Sequence, residues 1–142
     1  MELTIDKDEV LKNLNNYILN TLPENIQKAL QDTGLFVQGE ARENCNNQFK
    51  YPTGQLAGSI DFQNDDKTVT IYTPHEYGIY VEKGTGIYAQ GSSSAKKIPW
   101  VYPHSNGKFY TTYGRPATPF LEPAVMQHTQ EIQDIFIEDL KP

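Results

Sequence analysis

Residues 76–86 are the stretch that most constrains the fold, and they read Glu-Tyr-Gly-Ile-Tyr-Val-Glu-Lys-Gly-Thr-Gly. Apolar and polar side chains alternate over residues 77–82, and the aromatic and β-branched residues among them favour a half-buried, pleated strand. Gly84 and Gly86 can adopt positive φ without a Cβ penalty, so the backbone is expected to turn there. The sequence therefore predicts a central strand that ends at these glycines and leads into a long basic and aromatic loop, residues 87–107.

Length and composition predict one domain, residues 1–142. The chain has 37% hydrophobic and 21% charged residues, a balance typical of globular proteins. No apolar run is long enough for a membrane span, and the N-terminus lacks the basic start and apolar core of a signal peptide. The single cysteine, Cys45, cannot form an internal disulfide, which predicts a reducing compartment.

Apolar residues at spacings of three and four predict two N-terminal helices. The first covers residues 6–20, with Asp6 as its N-cap. The second begins at a capping box around Thr21, with Pro23 in its first turn. Its apolar face ends at Cys45, which is expected to be a small core residue.

Alternating segments farther along the chain predict an antiparallel sheet. Strands at residues 59–63 and 68–73 are joined by a hairpin turn, and the central strand follows them. Residues 98–102 and 108–113 are expected to form a second hairpin on the rim of the sheet. The predicted fold class is α+β, an antiparallel sheet of about four strands with the N-terminal helices and a C-terminal helix packed on one face.

Glycines and prolines are predicted to fix the backbone at the ends of these elements. Pro123 lacks an N–H and fits only near the start of a helix, so the last helix is expected to begin within residues 118–122. The predicted structural residues are Gly54, Gly84, Gly86, Pro119 and Pro123.

The sequence contains no recognisable catalytic or metal-binding pattern. His75, His104 and His128 lie 29 and 24 residues apart, and no H-x-x-x-H or C-x-x-C spacing occurs. The glycines lack the G-K-[ST] ending of a P-loop, and the serines lack the G-x-S-x-G frame of a nucleophile elbow. We therefore predict no catalytic residue, no metal and no cofactor, and we expect that the protein is not an enzyme. A hydrolase is disfavoured because a nucleophile–base pair is missing.

The charge is unevenly distributed along the chain. The net charge is −6, yet residues 83–115 hold five basic side chains and no acidic one, which leaves 7 basic and 18 acidic residues elsewhere. An acidic body with one basic segment is unlike a general nucleic-acid binder. The basic segment could contact an acidic protein partner or a phosphate backbone, or its lysines could simply be solvated. A small nucleic-acid-binding module that uses this segment is the alternative function.

Aromatic residues concentrate in the same part of the chain. Seven of the nine tyrosines lie between Tyr72 and Tyr113, and tyrosine and tryptophan are enriched at protein interfaces. Tyr77 and Tyr80 are expected to be mostly structural. The predicted partner or oligomer contacts are Tyr88, Lys96, Lys97, Trp100, Tyr102, Lys108 and Arg115.

Three stretches together resemble the tail-component family of long-tailed bacteriophages. They are residues 53–60, which read Thr-Gly-Gln-Leu-Ala-Gly-Ser-Ile, residues 76–86, and residues 115–124, which read Arg-Pro-Ala-Thr-Pro-Phe-Leu-Glu-Pro-Ala. The middle stretch is the most specific of the three. A helical N-terminus leads into them and a helix follows, so the similarity covers most of the chain.

The resemblance implies a structural, non-enzymatic virion protein that completes the tail and joins it to the head. It implies a homo-oligomeric ring of six copies at the neck or tail end, formed in the host cytoplasm. The implied partners are a head-completion or stopper protein, a tail terminator or tube protein, and DNA passing through the lumen. No membrane partner is implied.

Overall fold

The computed structural model describes residues 1–48, 54–91 and 99–142. The fold is α+β, as the sequence predicts, with helices at both ends of the chain and strands between them. The helices are α1 (Lys7–Asn16), α2 (Leu22–Gln48), α3 (Gln55–Ser59), α4 (Gly78–Lys83), α5 (Leu121–Met126) and α6 (Thr129–Asp139). The strands are β1 (Asp61–Asn64), β2 (Val69–Tyr72), β3 (Trp100–Pro103) and β4 (Phe109–Thr112).

The two N-terminal helices form one continuous helical run. The Asp6 side chain caps α1 by accepting a hydrogen bond from the N–H of Asp8 at 2.9 Å. The predicted break and capping box at Thr21 are wrong, because a π-helical turn (Tyr17–Thr21) connects α1 to α2. Pro23 has no N–H to donate to the preceding turn, and a wider turn lets the chain stay helical before it.

The core lies against one face of α2, the face predicted from its apolar spacing. Val37, Ala41 and Cys45 are buried there, and burial raises the pKa of the Cys45 thiol. Ile60 and Phe120 pack into the same cluster and are fully buried. Both C-terminal helices pack along α2, and α5 begins within the predicted range, with Pro123 in its first turn.

The predicted four-stranded sheet is wrong, because the described strands form two separate antiparallel pairs. The first pair joins β1 and β2, with Phe62 opposite Ile71. The second pair joins β3 and β4, with Tyr102 opposite Tyr110, and it confirms the predicted second hairpin. The first strand starts two residues later than predicted because Ser59 ends α3.

The predicted central strand is also wrong, because its residues form α4. Gly78, Val81 and Glu82 are buried, which is a helical spacing of three and four residues. A strand would direct Val81 and Glu82 to opposite faces, whereas a helix directs both inward. Tyr77 and Tyr80, expected to be structural, are both exposed. The positive φ predicted for Gly84 and Gly86 is confirmed, at 77° and 62°.

Two glycines in α2 give a matched test of packing. A Cβ added to Gly34 would lie closer than 3.0 Å to the Phe62 ring, whereas one added to Gly39 would meet no atom within 4 Å. Gly34→Ala is expected to lower the free energy of unfolding by about 1–2 kcal/mol, since overpacking exceeds the gain in helix propensity. Gly39→Ala should raise it by up to about 1 kcal/mol. Urea denaturation followed by circular dichroism checks both, and equal effects from the two changes would contradict the packing argument.

Candidate functional site

The stretches around residues 84–88 and 113–118 join in a compact backbone junction. The N–H of Thr85 donates to the carbonyl of Arg115 at 2.8 Å, and the N–H of Ile87 donates to the carbonyl of Tyr113 at 2.9 Å. The N–H of Arg115 donates in turn to Oγ1 of Thr85 at 2.8 Å. Two of the stretches that carry the family resemblance therefore meet directly in space.

The buried side chain of Glu82 ties this junction to the start of α5. Its Oε2 accepts the N–H groups of Phe120 and Leu121 at 2.7 and 3.0 Å, and its Oε1 accepts the N–H of Glu122 at 2.9 Å. These N–H groups have no partner inside a helix because they lie at its start. Glu82 therefore acts as a structural clamp, a role that its place in the predicted central strand did not indicate.

A two-stranded hairpin leaves the body from this junction. We call residues 99–113 the hairpin arm; its side chains are exposed apart from Trp100 and Thr112, which are half-buried. An isolated hairpin is at best marginally stable in water, so a partner surface is expected to cover it. The exposed aromatic residues of the arm are Tyr102, Phe109, Tyr110 and Tyr113, with Phe109 reaching 72% exposure.

The predicted contact residues are distributed around this arm. Tyr88 and Tyr102 are exposed, and Trp100 is half-buried. Lys108 and Arg115 are exposed at the tip and the base of the arm. Lys96 and Lys97 lie outside the described residues. Whether any of these residues contacts a partner remains a prediction.

The helix α1 forms a second arm, which sequence analysis did not identify as a surface. None of its residues is buried, so its apolar stripe faces solvent in the single chain. The Tyr17 hydroxyl donates to the carbonyl of Leu140 near the end of α6, and α1 precedes this contact. The exposed stripe comprises Val10, Leu11 and Leu14 of α1 and continues with Ile18 and Leu19 in the π-helical turn. Apolar spacing indicated the stripe but could not show that it stays exposed among the residues that the structure describes.

An apolar groove runs along the outer side of β2. Two adjoining cavities of about 440 and 600 Å³ lie between β2 and the helices α4 and α5. Both are lined by Ile71, Glu82, Lys83 and Leu121. The oxygens of Glu82 already accept backbone N–H groups, and the Lys83 ammonium lies 3.4 Å from the Glu122 carboxylate. The groove therefore offers mainly apolar surface.

Some titratable side chains of the described ranges contact one another in pairs. No group of three or more His, Cys, Asp or Glu residues is positioned there to hold a metal ion. His128 lies beside Glu40, with Nε2 3.1 Å from the carboxylate, and its ring makes an edge contact with Phe36. Among the helices of residues 1–48, 54–91 and 99–142, none is long and apolar enough to cross a membrane.

Comparison with known proteins shows that a family model matches the chain. The model is described as "Bacteriophage HK97-gp10, putative tail-component", and it matches residues 8–84, more than half of the 142 residues. The match runs from α1 to the first glycine of the junction. No curated protein and no solved structure gives a significant match.

Proposed function

This chain belongs to the HK97-gp10-like family of bacteriophage tail components, and from that membership we propose that it closes the tail end as a ring-forming subunit and joins it to the head. As a tail component it is a structural protein of the virion. The ring, its six copies and the neck position are the proposal. The proposed role is structural and non-catalytic, and its proposed partners are further copies, the tail tube or terminator, and a head-completion or stopper protein. DNA in the lumen is part of the same proposal.

The placement of the two arms is the observation that supports a ring. The segment that follows the hairpin arm reaches the C-terminal end of α2, where the side chains of Asn44 and Gln48 donate to the carbonyls of Phe120 and Pro119. The second arm, α1, leaves from the N-terminal end of α2, beyond Tyr17. From Tyr17 to Asn44 a helix spans roughly 40 Å at its ordinary rise of about 1.5 Å per residue.

Two different exposed surfaces at opposite ends of one body suit head-to-tail contacts. Such contacts pair unlike surfaces of identical subunits and generate a ring when the rotation closes. If one arm instead paired with the same arm of a second copy, the product would be a two-fold dimer. The remaining arm of each copy would then stay uncovered. The exposed apolar and aromatic side chains on both arms are the type that supply affinity at interfaces.

The ring is tested by measuring assembly of the full chain together with the tail-tube protein. Mass photometry and cryo-electron microscopy are expected to show a closed ring of six copies on the tube end. Leu11→Glu with Leu14→Glu should abolish ring formation, because it places two charges on the exposed stripe of α1. The control, Asn13→Glu with Asn16→Glu, adds the same charge to the opposite face and should assemble normally.

A second pair of variants separates charge from apolar contact. Lys96→Glu with Lys97→Glu should slow assembly most at low salt, because attraction between opposite charges acts over a range that salt shortens. Trp100→Ala with Tyr102→Ala should weaken the assembled ring at any salt concentration. Phage that lack this protein yet carry normal head–tail joints would overturn the proposed function.

A further inference from the structure

We propose that residues 1–6 of one copy add as a strand to the free edge of β2 in a neighbouring copy. The inference rests on the proposed ring, because it identifies one of the contacts between adjacent subunits. It assigns a donor segment and an acceptor edge, and neither pairs with another strand among residues 1–48, 54–91 and 99–142.

The acceptor is the edge of β2 that faces away from β1. The N–H of Asp65 donates to the carbonyl of Thr68 at 3.0 Å, and hydrogen-bonded pairs alternate along an antiparallel ladder. Thr70 and Tyr72 therefore direct their backbone groups towards β1. Val69 and Ile71 direct theirs to the opposite side, where β2 has no strand partner among the described residues.

The groove beside this edge can accommodate the side chains of an added strand. Its two cavities, of about 440 and 600 Å³, follow β2 from Val69 to Pro74. Leu121 of α5 and the half-buried Ile71 line both. An added strand would direct every second side chain into this apolar space and the others to solvent.

The donor segment has the required pattern of side chains. Residues 1–6 read Met-Glu-Leu-Thr-Ile-Asp, so apolar and polar residues alternate throughout. They precede α1 without regular structure, and Leu3 and Ile5 are 87% and 86% exposed. Leu3 and Ile5 would enter the groove, while Glu2, Thr4 and Asp6 would remain in solvent.

The segment cannot reach the groove of its own chain. The hairpin of β1 and β2 lies along α2, where Gln27 donates to the carbonyl of Asp65. From Lys7 to Gln27 the helical run covers roughly 30 Å at about 1.5 Å per residue, whereas six extended residues reach roughly 20 Å. Residues 1–6 can therefore enter this groove only in a second copy.

Disulfide trapping between two single-cysteine variants tests the pairing. Glu2→Cys, Thr4→Cys and Asp6→Cys chains are each mixed with a Thr70→Cys chain under assembly conditions and then mildly oxidised. At least one mixture is expected to give a cross-linked dimer in several-fold excess over the same donor mixed with Gln63→Cys, which lies on β1 one strand farther away. The native thiol of Cys45 is buried, and its raised pKa keeps its reactivity low.

The outcomes separate this proposal from the ring itself. Rings that form without any cross-link to Thr70 overturn strand addition and leave the ring standing. A cross-link to Thr70 from Thr111→Cys on β4, with none from the N-terminal residues, shows that the hairpin arm is the occupant and also overturns it. A cross-link from the N-terminal residues in an open dimer supports strand addition and contradicts the ring.

A functional variant gives a second readout. Leu3→Asp with Ile5→Asp is expected to reduce ring formation at least tenfold, because two carboxylates would enter the apolar groove. Thr4→Asp, with its side chain on the solvent side, should leave ring formation unchanged. The two variants alter exposed residues of a segment without regular structure, so thermal stability should match that of the wild type. Equal assembly by all three chains would overturn the proposal.

Discussion

Glu82→Ala is expected to lower the free energy of unfolding by about 3–5 kcal/mol, because an unsatisfied buried N–H costs about 1–3 kcal/mol and three lose their acceptor. The three N–H groups belong to Phe120, Leu121 and Glu122, and that of Phe120 is buried. Glu82 is only 9% exposed, and loss of its carboxylate leaves the buried N–H of Phe120 without its acceptor. Urea denaturation at neutral pH measures the loss.

Two further variants show whether the effect belongs to the hydrogen bonds. Glu82→Gln keeps one oxygen that can accept two of the N–H groups but turns an NH₂ donor towards the third. The free energy of unfolding is therefore expected to fall by less than in Glu82→Ala. Glu122→Gln removes the exposed ion pair with Lys83 and should cost less than about 1 kcal/mol. A Glu82→Ala protein within about 1 kcal/mol of the wild type would refute the clamp.

The helices were the part of the fold that the sequence could predict. A helix such as α2 repeats its buried position every three to four residues, so Val37, Ala41 and Cys45 identify its core face without knowledge of the rest of the chain. The end of a helix is less certain. Thr21 and Pro23 have the residue types of a helix start, yet a local π turn keeps the run continuous.

The predicted central strand was wrong because six residues are too few to distinguish the two periodicities. Tyr77, Ile79 and Val81 satisfy a period of two, whereas Gly78, Val81 and Glu82 satisfy the helical spacing that the structure uses. The deciding contact is the bond of Glu82 to the start of α5, almost forty residues later in the chain. Local pattern reasoning has no access to such a contact.

The candidate surfaces were predicted in part. Aromatic clustering indicated the hairpin arm, and the structure shows Tyr88 and Tyr102 exposed near it. The stripe on α1 was detected as a helix face but was not recognised as a surface, because spacing alone does not show what covers a stripe. The groove beside β2 depends on how α5 packs, and nothing local to β2 encodes that.

The second large effect is expected at Gly86, where the two backbones of the junction cross. A Cβ at Gly86 would lie closer than 3.0 Å to the carbonyl oxygen of Tyr113, and one at Gly114 would lie equally close to that of Thr85. Both obstacles are backbone atoms, so no side chain can rotate away to relieve them. Both glycines also have positive φ, 62° and 102°.

Gly86→Ala is therefore expected to lower the free energy of unfolding by about 3–5 kcal/mol, combining overpacking with left-handed strain of about 1–2 kcal/mol. Gly91 is the matched control, because its φ is also 62° but a Cβ there meets no atom within 4 Å. Gly91→Ala should lower the free energy of unfolding only by the left-handed strain, about 1–2 kcal/mol. Hydrogen exchange should locate the Gly86 effect at the amides of Thr85, Ile87 and Arg115, which bond across the junction. If both alanine variants lose the same stability, backbone strain alone accounts for the effect and the close crossing contributes nothing.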